Sequence, residues 1–194
     1  METVVAKRRK SKLYVSRGGD KLHGALSVLG LDVAGLTAVD FGANVGGFTD
    51  CLLQHGAGKV YAVDTAYGVL EWKLRQNPKV IVVERTNGLY FVPPEVVQIV
   101  TVDVGWTPMN RILPIALQCL GNEGNALALL KPQYEALACE LENGVVRTEC
   151  LDGVVERVLD GLDRLDIQVK DRVESNVPGS GGNLEFFLEV SARS

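Results

Sequence analysis

The sequence predicts a doubly wound α/β fold of Rossmann-like kind: a mostly parallel seven-stranded sheet with one antiparallel strand and helices on both faces. Three observations predict it. Short runs dense in Val, Ile, Leu and Ala recur along the chain, each bounded by Gly, Asp or Asn, without polar alternation. Such runs suit parallel strands buried on both faces. Helix-patterned stretches lie between them, and alternating strand and helix implies right-handed crossovers. Near the end that rhythm stops, and two strand-like segments flank a loop rich in Gly, Ser and Pro.

Residues 1–13 are polar and basic and read as a flexible arm, followed by a single domain over 14–194. A short helix, Asp20–Leu29, precedes the first strand, Thr37–Phe41, which leads into a helix at Gly47–His55. The second strand, Val60–Asp64, is followed by helix Gly68–Gln76, and the third is Val80–Glu84. The fourth strand, Ile99–Val104, precedes helix Pro108–Leu120; the fifth, Asn125–Leu130, precedes helix Glu149–Leu165. Asp166–Glu174 and Leu184–Val190, joined by Ser175–Asn183, read as the closing antiparallel hairpin.

Composition narrows the function. Of 194 residues, 46% are hydrophobic and 23% charged, which excludes a disordered chain. No apolar run approaches the ~18 residues of a membrane span, and the basic N-terminus has no apolar stretch behind it to form a secretory signal. The chain is therefore expected to be cytoplasmic, with no membrane partner and no pore-forming element. Cys51, Cys119, Cys139 and Cys150 show no CxxC spacing, and His23 and His55 lie far from any Cys pair, so the reading is reduced thiols and no metal. Charge is uneven. Residues 1–21 hold seven basic and two acidic residues, a net of +5, against −9 for the remainder. A basic arm on an acidic body is compatible with a nucleic-acid partner.

Ligands of open α/β sheets sit beyond the carboxyl ends of the strands, where strand order reverses. The first strand runs into Asp40-Phe41-Gly42-Ala43-Asn44-Val45-Gly46-Gly47-Phe48. Its glycines allow a sharp turn and a close ligand approach. The spacing is GxxxGG, neither GxGxxG nor a phosphate loop. A pyrophosphate is thus disfavoured, and S-adenosylmethionine, which needs no phosphate cradle, is the expected guest. Asp40, Gly42, Ala43, Asn44, Gly46, Gly47 and Phe48 are its candidate contacts. Asp64 ends the second strand, 24 residues after Asp40, and is placed to accept from both ribose hydroxyls. Thr86 and Asn87, after the third strand, lie at the expected height of an adenine ring.

These residues fall within longer strings: Tyr14-Val15-Ser16-Arg17-Gly18-Gly19 with Lys21-Leu22, Tyr61-Ala62-Val63-Asp64, Glu84-Arg85-Thr86-Asn87, Lys131-Pro132-Gln133-Tyr134-Glu135, and Gly182-Asn183-Leu184-Glu185-Phe186. In them the chain resembles the FtsJ-like 2′-O-ribose RNA methyltransferases, in particular their TlyA (hemolysin A) branch, from about residue 14 to about 190. The resemblance implies a catalytic tetrad of Lys21, Asp103, Lys131 and Glu185, with S-adenosylmethionine as methyl donor and RNA, ribosomal RNA in particular, as acceptor. Within it Lys131 is expected to take the hydroxyl proton, Lys21 and Asp103 to position and tune it, and Glu185 to orient Lys21 or the ribose. The alternatives are a cofactor-binding module impaired in catalysis and a methyltransferase with another acceptor. Relatives of this branch carry a small RNA-binding domain ahead of the catalytic one, and the expectation here is that it is missing. Where the family has a Ser-Phe pair after Asp103, this chain has Val104-Gly105-Trp106, and Trp106 either stacks on a base or fills the core. The sequence leaves the oligomeric state open.

Overall fold

The computed structural model describes residues 13–192. The basic arm read from the sequence therefore lies, Leu13 apart, outside the described residues. The strands are β1 (Thr37–Phe41), β2 (Lys59–Val63), β3 (Val80–Val83), β4 (Val97–Val102), β5 (Leu120–Leu130), β6 (Leu141–Glu142), β7 (Val145–Val146), β8 (Ile167–Glu174) and β9 (Phe186–Ala192). The helices are α1 (Arg17–Leu29), α2 (Gly47–Gln54), α3 (Trp72–Arg75), α4 (Met109–Gln118), α5 (Pro132–Glu135) and α6 (Thr148–Asp163).

Seven strands form one sheet in the order β3-β2-β1-β4-β5-β9-β8. Strand β9 alone runs against the rest, antiparallel to both β5 and β8. Strand order reverses between β1 and β4, so a crevice opens beyond their carboxyl ends. The central strands are apolar on both faces because both are covered. One face packs α1 and α2 through Leu22, Leu26, Phe48 and Leu52. The other packs α4 and α6 through Ile112, Leu113, Val155, Val158 and Leu162. The mixed α/β architecture expected from the sequence is the one observed.

Element boundaries differ in instructive places. Helix α1 begins three residues before the expected Asp20, because the Ser16 hydroxyl accepts from the Gly18 amide and caps its first turn. The expected helix at Gly68–Gln76 shrinks to the single turn of α3. Gly68 is left-handed at φ 75°, and the Glu71 carboxylate caps the turn only at Trp72. Strand β5 starts at Leu120, where the expected helix was to end: Leu120 pairs with Val97, and the register then shifts before Asn125 pairs with Ile99. The small β6–β7 hairpin was not anticipated; its two-residue strands are too short to leave a periodic signal. Among the described residues no helix is long and apolar enough to cross a membrane.

Candidate active site

Four charged residues at this end of the sheet stand one position outside a strand, and Lys21 comes from α1. Asp64 follows β2, Asp103 follows β4 and Lys131 follows β5, while Glu185 immediately precedes β9. Because β9 is antiparallel, its beginning lies at the same edge as the ends of the parallel strands. Four strands thus deliver four polar side chains to one side of the sheet.

The cavity at this edge measures about 520 Å³, within the ~300–1,000 Å³ usual for small-ligand sites. Its walls include Gly42, Ala43, Asn44, Gly47 and Phe48 from the glycine loop, Asp64, and Thr86 and Asn87 after β3. Lys21, Asp103 and Lys131 line it as well. The loop owes its shape to backbone proximity. Gly42 is left-handed (φ 83°), and a Cβ there would stand 2.4 Å from the Asp103 carbonyl oxygen. A Cβ on Gly47 would meet Ser16 Oγ at 2.2 Å and the Gly19 amide nitrogen at 3.0 Å. Glycine at 47 therefore lets the start of α1 lie against the start of α2, which brings Lys21 to the cavity.

Asp64 is held by its own surroundings. Its Oδ2 accepts from the Asn44 amide at 2.8 Å and its Oδ1 from the Ala66 amide at 2.7 Å. Each oxygen keeps a further lone pair, so the carboxylate is oriented yet still able to accept from a vicinal diol. The glycine loop keeps GxxxGG spacing, neither GxGxxG nor a phosphate loop. These features fit a nucleoside with an amino-acid tail, as S-adenosylmethionine is, better than a dinucleotide.

Two ion pairs occupy the site. Lys131 Nζ lies 2.5 Å from Asp103 Oδ1, and Lys21 Nζ lies 2.5 Å from Glu185 Oε2. Asp103 Oδ1 is buried and accepts no well-aligned hydrogen bond, so the lysine's charge is its compensation. The second pair is deeper, with Glu185 only 2% exposed and Lys21 11%. Glu185 also receives the Gln133 side-chain amide at 3.4 Å and does not line the cavity.

Two expected cofactor contacts fall elsewhere. Asp40 is fully buried beneath the loop, its carboxyl accepting from Thr49 Oγ1 at 2.7 Å and Thr101 Oγ1 at 3.0 Å. Burial pushes it up to about 7, although the two threonine hydroxyls pull the other way. Asp40 ties α2 to β1 and β4 and does not reach the cavity. Gly46, left-handed at φ 98°, makes room for the Leu70 and Leu74 side chains instead of lining the crevice. Conversely, Ser16, Arg17 and Gly18 line the cavity, and Gln133 braces Glu185, without having been singled out. All four sit in strings that carry the family resemblance, which was the available signal. Trp106 is 85% exposed and so does not fill the core.

The chain is 37% identical over 185 residues to the 16S/23S rRNA (cytidine-2′-O)-methyltransferase TlyA of Mycobacterium tuberculosis, covering 91% of this chain and 68% of that protein. A solved structure of a candidate hemolysin from Streptococcus thermophilus superposes with a TM-score of 0.89 at 38% identity, over 96% of this chain and 70% of that one. An S-adenosylmethionine-dependent methyltransferase from Mesorhizobium loti shares the fold alone, with a TM-score of 0.63 at 16% identity over 86% of this chain and 95% of that one. The chain spans about two thirds of the length of the curated relatives it matches (65–75%). The family model for FtsJ-like methyltransferases matches residues 14–191. The chain belongs to the FtsJ-like methyltransferase family.

Proposed function

We propose that this protein transfers a methyl group from S-adenosylmethionine to the 2′-hydroxyl of a ribose in ribosomal RNA, in the cytoplasm. In this reading residues 14–194 form the catalytic domain, and the basic residues 1–13 reach towards RNA phosphates. The observation that carries it is the placement of the Lys131–Asp103 pair in the same cavity as Asp64. A nucleoside-binding carboxylate thereby shares one space with a group able to move a proton.

S-adenosylmethionine, when bound, supplies an electrophilic methyl on a sulfonium. Gly42, Ala43, Asn44, Gly47 and Phe48 shape its berth, Asp64 takes its ribose hydroxyls, and Thr86 and Asn87 flank its base. The protein's remaining work is to align the acceptor and help its oxygen lose a proton. Lys131 takes that proton. It does so only as a neutral amine, and Asp103, 2.5 Å from Nζ, fixes the position of that nitrogen. Lys21, fixed by Glu185, contributes a positive charge on the same wall, where it stabilises negative charge developing on the acceptor oxygen.

The test is incubation with methyl-labelled S-adenosylmethionine and separated ribosomal subunits. Label in the ribose of ribosomal RNA is expected. Lys131→Ala should abolish transfer with cofactor affinity nearly unchanged, whereas Asp64→Ala should weaken cofactor binding first. Wild-type turnover in Lys131→Ala overturns the assignment, and label appearing only in other molecules overturns the acceptor.

A further inference from the structure

Three groups confine the Glu185 carboxylate. Lys21 Nζ holds its Oε2 at 2.5 Å. The chain passes so close at Gly179 that a Cβ there would overlap its Oε1. The Gln133 side-chain amide donates to the same Oε1 at 3.4 Å. Gln133 makes this contact at a cost. Its own Oε1 is buried, and no group among the described residues donates to it. Reversing the amide would set that oxygen against the carboxylate, so Glu185 dictates the orientation. A methionine would fill much the same space with no oxygen to satisfy. Packing alone therefore does not account for an amide at this position, and its contact with Glu185 does.

Gln133 is also tied closely to Lys131. Lys131 is the N-cap of α5, and Gln133 is the second residue of that turn. Pro132 between them is buried. At the far end of the turn, Glu135 accepts from the Met109 amide at 2.8 Å, which fixes α5 to the start of α4. A single turn held at both ends has little freedom to swing. Lys131, Gln133, Glu185 and Lys21 thus form one connected line from the end of β5, past the start of β9, to α1.

We propose that Gln133 is a positioning residue for methyl transfer, setting the separation of the two site lysines by holding Glu185 with an uncharged donor. The inference rests on the function proposed above and adds to it a residue that does not itself line the cavity. The absence of charge matters. A carboxylate at 133 would repel Glu185, and a cation would compete with Lys21 for it. An amide restrains one oxygen and leaves the carboxylate's charge to Lys21. Lys21 then keeps its ammonium on the cavity wall at a fixed distance from Lys131. A displacement of about 1 Å between reacting groups costs on the order of 100-fold in rate.

Q133M removes the amide and keeps the bulk. With methyl-labelled S-adenosylmethionine and separated ribosomal subunits, its kcat should fall by roughly 10- to 100-fold. Its KM for S-adenosylmethionine should stay unchanged, and its Tm should be no lower than the parent's. A merely structural amide would do the opposite, lowering Tm and sparing kcat. Q133L repeats the test with a different apolar shape. A second measurement needs no turnover: limited acetylation of lysines by acetic anhydride, read by mass spectrometry. Lys21 is 11% exposed in its ion pair and should react several-fold faster in both variants. Lys59, at the start of β2 and so at the opposite end of the sheet, should react as in the parent. Parental kcat or parental Lys21 labelling in either variant overturns the proposal, and so does a Tm below the parent's in both. Faster Lys21 labelling in variants of a protein that methylates no ribosomal RNA would defeat the proposed function and leave the positioning of Lys21 standing. Transfer by the parent, with kcat and labelling unaltered in Q133M, would do the reverse.

Discussion

Replacing Asp40 by Asn should remove a pH-dependent weakness from the centre of the fold. Asp40 is completely buried, and its carboxyl is pushed from 3.8 up to about 7 by that burial. Between these two values the native state binds a proton that the unfolded chain has released. Stability from this group is therefore fully present below about pH 4 and is lost as pH rises through about 7. A tenfold difference in proton affinity between the folded and unfolded chain is worth about 1.4 kcal/mol, so the wild-type protein gives up about 4 kcal/mol across that window. Asparagine is neutral throughout. Its amide oxygen accepts from one threonine hydroxyl and its amide nitrogen donates to the other, so both contacts to Thr49 and Thr101 survive with one reversed. Because Glu135 is also raised by burial and tilts the same curve, the quantity to measure is the difference between variant and wild type, by urea or thermal unfolding from pH 4 to pH 8. That difference should move in favour of Asp40→Asn by up to about 4 kcal/mol, on the order of 10 °C in Tm for a chain of this length. A difference curve that stays flat across the range would refute the reasoning, since it would mean Asp40 titrates alike in both states.

Gly42→Ala should be destabilised by at least about 1–2 kcal/mol from the left-handed backbone alone. Because its Cβ would press on the Asp103 carbonyl, cofactor binding and transfer should fall together; full activity with unchanged Tm would contradict the close approach. Lys21→Met leaves Glu185 buried without its cation, which should cost about 3–5 kcal/mol in an unfolding titration. The double variant Lys21→Met/Glu185→Leu should recover much of that stability while remaining inactive. Recovery of turnover along with stability would show that the pair serves folding and not transfer.

The sheet was largely legible because its signal is simple. Buried parallel strands such as Val60–Val63 and Ala126–Leu130 are apolar at every position, and no surface helix among the described residues imitates that. The closing antiparallel strand was legible for a different reason, since a loop of Gly, Ser and Pro cannot carry a crossover helix. Helices were harder. The pattern around Leu70 and Leu74 has helical spacing, but both leucines fill the space left by Gly46, and Leu70 does so from a loop. The cavity lining was legible from a strand end at Asp64, and through the family resemblance at Asp103 and Lys131. It was misread at Asp40, because spacing says that a carboxylate lies near a glycine loop and says nothing about which side of the backbone it occupies. The partner threonines, nine and 61 residues away, were not recognisable as such from the sequence.

The same limit explains how one sheet edge assigns four carboxylates different work. Asp40, Asp64, Asp103 and Glu185 are chemically alike, and what separates them is the partner each meets. Asp40 meets two hydroxyls and no cation, so burial dominates and its charge becomes costly. Asp64 meets two backbone amides and open cavity, which orients its oxygens and leaves them able to accept from a ligand. Asp103 and Glu185 each meet a lysine at 2.5 Å, but Asp103 faces the cavity while Glu185 lies behind it. Both lysines line the crevice, but the carboxylate of one pair faces it and that of the other lies behind it. In the proposed reaction Lys131 exchanges a proton with the acceptor while Lys21 holds its charge in place. The antiparallel turn of β9 makes this division possible, because it brings Glu185 to the edge from the opposite chain direction and seats it under α1.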